Sequence, residues 1–377
     1  MINSQNFSIA GQMSSWLYGE AIPFWLERGV DRRRGGFIES LTMDGFPQDP
    51  GFKRTRVTAR QIYCFAHAGL QGISGCVEAA EHGIKFLMSY HKGASNGSWV
   101  RTVTPEGSTL DSTDDLYDIA FVLFALAWWF RLTRDDSVIP MARQTVEHIV
   151  VLRHSSGLGY RAAADAAGSN EQNPHMHLLE ALIELFKVTQ DQMFLDEAHK
   201  IKVLFSKKFF VNGTVREFFD GDWRPAEGIR GQFVEPGHMS EWAWILFNYG
   251  KISGNDIGDI FVTLMNGVLK ASELRSDGLL PDVILDNYSI YKSDVRLWPQ
   301  TEFIKGLVAL SESSGHDYSS LIEGCWSNIL DNFLDPAPRG CWHDHLNNAG
   351  SVIVDKVPAS SLYHISLACS EVLRIYK

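Results

Sequence analysis

Gly35-Gly36-Phe37-Ile38-Glu39 opens the pattern on which the fold turns, a glycine followed by a short aromatic or β-branched run. The cassette returns as Gly97-Ser98-Trp99-Val100, Gly157-Leu158-Gly159-Tyr160, Gly213-Thr214-Val215-Arg216, Gly278-Leu279-Leu280-Pro281 and Gly340-Cys341-Trp342-His343. Successive spacings are 61, 60, 56, 65 and 62 residues, so six near-equal periods account for the chain. Self-similarity at a fixed period marks a repeat architecture. Between the glycines, apolar residues recur at three- and four-residue intervals, the period of a helix with one buried face. That pattern covers 16–26, 56–70, 76–88, 117–132, 138–152, 177–188, 194–205, 241–249, 257–269, 302–310, 318–333 and 360–375. Twelve helices in six hairpins cannot bury their apolar faces as separate units. A closed ring of six inner and six outer helices can. The expected fold is therefore all-α, an (α/α)6 barrel with short β-hairpin segments at one end, with 1–377 as a single domain. An open helical solenoid would need polar caps, whereas the helices near both termini are strongly apolar.

Composition narrows the possible roles. The 377 residues carry 34 Lys+Arg against 45 Asp+Glu, a formal net charge of −11. Nucleic-acid binding relies on clustered cations, so no nucleic-acid partner is expected. Hydrophobic residues make up 45%, which excludes wholesale disorder. The longest apolar stretch, residues 119–130, is too short to span a bilayer, which takes roughly 20 apolar residues. Met1-Ile2-Asn3-Ser4-Gln5-Asn6 lacks a basic region followed by an apolar run, so no leader is expected. Five scattered cysteines with no Cys-x-x-Cys pair suit a reducing, cytoplasmic setting. No His-Glu-x-x-His zinc motif, phosphate loop or Gly-x-Ser-x-Gly elbow occurs, and neither metal nor cofactor is expected. The expected partner is a small molecule, with the protein acting as monomer or homodimer.

Unusual polar residues share a phase within the cassette. Arg60 lies 24 residues after its glycine, Asp118 21, His177 20, His238 25, Gln300 22 and His364 24. In a closed ring, equivalent phases converge at one mouth, where helix N-termini add partial positive charge. Taken singly, Arg60 reads equally as an ion-pair partner, Asp118 as a helix-start charge and His177 as a core histidine. His238 and Glu241 lie three apart, which places imidazole and carboxylate on one helical face. A carboxylate beside an imidazole orients it and raises its basicity. Tyr63, Tyr117, Phe121, Trp242, Trp298 and Tyr363 crowd the same phases. Aromatic faces cover the C–H surface of a sugar while polar groups bind its hydroxyls, so the mouth suits a monosaccharide.

With these residues in view, the chain resembles the N-acylglucosamine 2-epimerase superfamily, which includes cellobiose 2-epimerase, mannose isomerase and sulfoquinovose isomerase. The resemblance covers nearly the whole chain. It rests on Gly35-Gly36-Phe37, Ala59-Arg60, Leu116-Tyr117-Asp118-Ile119-Ala120-Phe121, Met176-His177-Leu178-Leu179-Glu180-Ala181, Pro236-Gly237-His238-Met239-Ser240-Glu241-Trp242-Ala243-Trp244 and Tyr363-His364. It implies an (α/α)6 barrel that shifts a proton beside a sugar carbonyl without a cofactor. It also implies His364 and His238 as the acid/base pair, Arg60 as the enediolate stabiliser, and His177 and Glu241 as orienting groups. The epimerase branch commonly opens its fifth inner helix with Trp-Trp. Here Arg296-Leu297-Trp298-Pro299-Gln300-Thr301-Glu302 is more similar to the aldose–ketose isomerase branch.

The expected reaction is interconversion of D-mannose, or a similar aldose such as lyxose, with the 2-ketose through a cis-enediol. His364, His238, Glu241 and Arg60 are the expected catalytic residues. His177, Asp118, Tyr117, Trp298, Gln300, Glu302 and Tyr63 are the expected substrate contacts. Arg54, Arg56 and Arg296 are candidates for holding an anionic substituent. The alternatives are a sugar 2-epimerase, a sulfoquinovose isomerase, an inverting glycosidase drawing two carboxylates from Asp118, Glu241 and Glu302, and a non-catalytic binding protein.

Overall fold

The hydroxyl of Ser8 accepts a hydrogen bond from the Gly11 amide and caps α1 (Ile9–Trp16), satisfying one of the orphan donors of a helix start. A widened π turn, Leu17–Ala21, leads directly into α2 (Ile22–Arg28), so the first outer helix consists of two α segments. The computed structural model describes residues 8–153, 157–163 and 170–376. The stretch Met1–Asn6 read for a leader lies outside them. Downstream follow α3 (Thr55–Leu70), α4 (Cys76–Tyr90), α5 (Leu116–Thr133), α6 (Val138–His148), α7 (Asn173–Thr189), α8 (Gln192–Leu204), α9 (Pro236–Ser253), α10 (Gly258–Ser272), α11 (Leu297–Ser314), α12 (Ser319–Ile329) and α13 (Ser361–Ile375).

The odd-numbered helices from α3 onward close the ring. α3 packs on α5, α5 on α7, α7 on α9, α9 on α11, α11 on α13, and α13 returns to α3. Each outer helix packs against the inner helix of its own hairpin or the next. The expected (α/α)6 barrel is the observed one.

Short antiparallel pairings stitch neighbouring repeats together around the mouth where the inner helices begin. Lys53-Arg54 pairs with Thr102-Val103, Asp115 with Ala163, and Asn170-Glu171 with Phe218-Phe219. Phe233-Val234 pairs with Ile284-Leu285, and Val295-Arg296 with His345-Leu346. Ser40–Thr42 pairs with Lys356–Pro358, joining the first repeat to the last. These six links form a girdle that fixes where each inner helix starts. All six cassette glycines have positive φ. Gly97 shows why glycine is needed there: at φ +81°, a Cβ would stand 2.2 Å from the Gln144 carbonyl oxygen.

The inner helices are buried nearly all round because both faces are covered. α5 alone among the described residues is long and apolar enough to cross a membrane, yet it forms barrel wall, with every residue from Ile119 to Phe130 buried. Three inner helices begin earlier than their periodicity suggests: α7 at Asn173, α9 at Pro236 and α11 at Leu297. Pro174 and Pro236 in the first turn of α7 and α9 suit a helix start, where an amide has no intrahelical partner. Their first turns carry the polar residues of the mouth, which masks the apolar period there.

Candidate active site

The first turns of the inner helices surround a cavity of about 250 Å³. Arg60 enters it from α3, Tyr117 from α5, His177 from α7, His238 and Glu241 from α9, Trp298 from α11 and His364 from α13. Residues as far apart in the chain as Arg60 and His364 thus share one wall.

Each of the three histidines is held by its own carboxylate. His238 Nδ1 lies 2.9 Å from Oε2 of Glu217 and 3.8 Å from Oε2 of Glu235. Glu217 is itself fixed, accepting from Gln172 Nε2 at 2.8 Å and from the Glu235 amide at 3.2 Å. Burial works against charge on His238, but Glu217 and Glu235 outweigh it and raise the imidazole to about 9. His238 is therefore an imidazolium at neutral pH. His364 Nδ1 lies 2.7 Å from Oε1 of Glu302. Burial, with Arg60 and Lys305 nearby, holds this ring well below the usual histidine range, leaving it neutral. His177 Nδ1 lies 3.2 Å from Oε2 of Glu180 and 3.8 Å from Glu241, and burial lowers it to about 3. The cavity thus holds one charged and two neutral imidazoles, and divergent protonation of this kind separates acid from base.

Arg60 differs from the other guanidiniums at this mouth. It donates from Nη2 to the Tyr117 hydroxyl at 2.8 Å and lies 4.1 Å over the Phe121 ring. Its Nε is buried without a partner, and among the described residues no carboxylate lies within ion-pair distance. Its unclaimed donors are available to an oxyanion. Trp298 spans the two candidate acid/base groups, its ring 4.8 Å from His238 and 5.6 Å from His364.

Several expected site residues stand elsewhere. Successive helical residues turn by about 100°, so neighbours of a cavity residue point away from it. Asp118, next to Tyr117, faces α3 and accepts three hydrogen bonds from Arg56, at 2.9 Å from its amide, 2.9 Å from Nε and 3.2 Å from Nη2. Gln300, two residues past Trp298, turns outward and bonds both backbone groups of Leu280. Tyr63 lies deeper, with its hydroxyl 3.0 Å from His67 Nδ1. Glu302 stands behind His364 and does not line the cavity. Trp242 packs outward, 4.3 Å from Phe205. Glu241 does line the cavity, but beside His177. The carboxylate that orients His238 is Glu217, which helical spacing could not have found because it lies between two short strands. Its only sequence signal is its place just after the fourth cassette.

Among the described residues, three groupings place potential metal-ligating atoms within 4.8 Å of one another: His177/Glu180/Glu241, Glu217/Glu235/His238 and Glu241/Glu302/His364. In each, a carboxylate already meets the imidazole Nδ1, which suits orientation of a proton-transfer ring as well as it suits an ion.

A larger hollow of about 580 Å³ opens at the opposite mouth. It is lined by the C-terminal turns of inner helices, whose partial negative charge opposes an anionic intermediate. Its cations are already paired: Arg131 and Lys187 with Glu184, Lys251 with Glu312, and Arg374 with Glu312 and Glu371. The smaller cavity gathers the three imidazoles and Arg60.

Comparison with known proteins agrees with this geometry. The sequence matches the N-acylglucosamine 2-epimerase (GlcNAc 2-epimerase) family over residues 36–368. The chain belongs to this family. A mannose-6-phosphate isomerase of Rhizobium meliloti is 32% identical, with 96% of each chain covered. A D-mannose isomerase of Marinomonas mediterranea is 27% identical, over 90% of this chain and 91% of that one. A crystal structure of D-mannose isomerase superposes with a TM-score of 0.88 at 23% identity, covering 99% of this chain and 100% of that one. As a member of the GlcNAc 2-epimerase family, the protein is a sugar isomerase or epimerase, an enzyme that acts on carbohydrate.

Proposed function

We propose that the protein is an aldose–ketose isomerase that interconverts D-mannose and D-fructose. The observation that carries this reading is the placement of His238 and His364 on one cavity, each with its Nδ1 held by a separate buried carboxylate. His238, as imidazolium, gives a proton to the ring oxygen during opening and is recharged by the proton that the anomeric O1–H releases as the aldehyde forms. Neutral His364 then takes the C2 proton of the open aldose. As negative charge develops on O1, Arg60 stabilises it and His238 protonates it, giving the cis-enediol. His238 next removes the O2 proton, and His364 returns its own proton to C1 on the same face. The ketose results, with both histidines restored.

The cavity's volume suits one sugar ring. Three arginines near the mouth are already committed: Arg54 to Glu39 at 2.7 Å, Arg56 to Asp118, and Arg296 to Glu235 at 2.8 Å and also to Asp282. That acid-rich rim supports a neutral sugar over a phosphosugar. The relative named mannose-6-phosphate isomerase favours the second. Of the three carboxylates considered for glycoside cleavage, only Glu241 reaches the cavity, which leaves that reading without its pair. The buried free thiols of Cys64, Cys76, Cys341 and Cys369 suit a cytoplasmic setting.

The test is a proton NMR time course with mannose and mannose 6-phosphate in heavy water. Fructose as the main product supports the isomerase, with hydrogen at C1 marking direct return of the C2 proton and deuterium its exchange while held on His364. Glucose as main product makes the protein a 2-epimerase, and turnover confined to the phosphate overturns the neutral substrate.

A further inference from the structure

Lys305 is wholly buried, at 0% exposure, on the inner helix that carries Trp298 and Glu302. Its Nζ lies 2.6 Å from Oε2 of Glu302 and 4.1 Å over the Trp244 ring. The other oxygen of Glu302 meets His364 Nδ1 at 2.7 Å. A line His364–Glu302–Lys305 therefore runs from the cavity wall into the interior. No motif in the sequence marks Lys305. Burying an ammonium is costly, and an apolar residue would be the ordinary choice there.

The neighbouring carboxyl gives the lysine a role. Glu241 and Glu302 belong to one cluster with His364, with ligand atoms within 4.8 Å, and both are fully buried. Both oxygens of Glu241 lack a hydrogen-bond partner among the described residues. Two adjacent buried carboxyls do not both ionise without compensation. Lys305 meets Glu302, so the negative charge rests on Glu302 and Glu241 keeps its proton. An ionised carboxylate only accepts hydrogen bonds. His364 must then carry its hydrogen on Nδ1, which leaves Nε2 bare.

We propose that Lys305 is a positioning residue that pins the negative charge on Glu302, so that His364 presents an unprotonated Nε2 to the substrate. The kinetic part rests on the isomerase reading above, whereas the tautomer does not. In the forward step the C2–H bond breaks, its proton passes to His364 Nε2, and the imidazolium formed is held between Glu302 and the cavity. Without the ammonium, Glu302 takes up a proton and donates it toward Nδ1. The ring then reverts to the Nε2–H tautomer, which has no lone pair for C2.

The test is ¹⁵N-histidine NMR of the full chain with steady-state kinetics on mannose, comparing wild type, Lys305→Met, Glu302→Gln and the double variant. Methionine fills the lysine's space without its charge. The expected results are an Nδ1–H tautomer of His364 in wild type and an Nε2–H tautomer in Lys305→Met. kcat falls about 100-fold while KM moves less than about threefold. Lys305→Met adds no further loss in the Glu302→Gln background, because it acts through that carboxylate. An Nε2–H tautomer in wild type overturns the proposal even if the methionine variant fails to fold. So does an unchanged tautomer in a folded Lys305→Met, or penalties that simply multiply. Wild type inactive on mannose, with the tautomer switch intact, would reject the substrate and leave the role of Lys305 standing.

Discussion

Nδ1 of His238 stands 2.9 Å from Oε2 of Glu217, a carboxylate twenty-one residues upstream that belongs to no helix. Gln172 and the Glu235 amide fix that carboxylate from two further segments. The charge state of the candidate acid is thus set by parts of two neighbouring repeats meeting at one mouth.

Replacing Glu217 by Gln removes the first of the negative charges that hold His238 at about 9. The neutral ring becomes easier to form, so the alkaline limb of kcat/KM, expected near pH 9 in wild type, moves toward acid. Activity at pH 8 should fall about 10–100-fold. A pH–rate profile whose alkaline limb does not move would reject the assignment.

Loss of His364 should be more severe. His364→Gln keeps much of the volume but has no base, and turnover should drop by about 10²–10⁴ or more. Deuterium exchange at C2 of mannose should drop in parallel. Exchange persisting at the wild-type rate would place the base elsewhere.

Thermal stability should peak near pH 6.5. His238 has a folded pKa raised from 6.5 to about 9, so its contribution is complete below 6.5 and lost as pH climbs through 9. The buried rings of His67, His91 and His177 are lowered to about 4, 3 and 3, so theirs is present above 6.5 and lost as pH falls toward those values. The alkaline loss is on the order of 3 kcal/mol. Calorimetry from pH 4 to 10 measures both limbs, and His238→Gln should flatten only the alkaline one.

Asp118→Asn tests a residue that shares the phase of the site but not its cavity. It weakens the pairing with Arg56, whose remaining carboxylate among the described residues is Asp115 at 3.9 Å. A cost of about 2–3 kcal/mol in denaturant midpoint is expected, with KM for mannose changed less than about threefold. A large rise in KM at unchanged stability would return Asp118 to the substrate.

Much of the fold was legible because it repeats. Six glycines at near-equal spacing, each forced by positive φ, and the helical period between them are local properties of the chain. Arg60, His177, His238 and His364 were legible for the same reason. Asp118 and Gln300 share that phase to within a few residues, yet each residue along a helix turns the side chain by about 100°. A phase known to a few residues cannot say which way a side chain points.

The sequence by itself determined that the chain closes into a six-fold helical ring and which imidazoles and guanidinium stand near one mouth, since periodicity and phase are written residue by residue. Tertiary structure alone decided the partners. Glu217 rather than Glu241 serves His238, Glu302 and Lys305 stand behind His364, and Arg60 rests on aromatic rings while Arg56 is tied to Asp118. Those pairings set which groups are charged, and they depend on distances between segments that meet only when the ring closes.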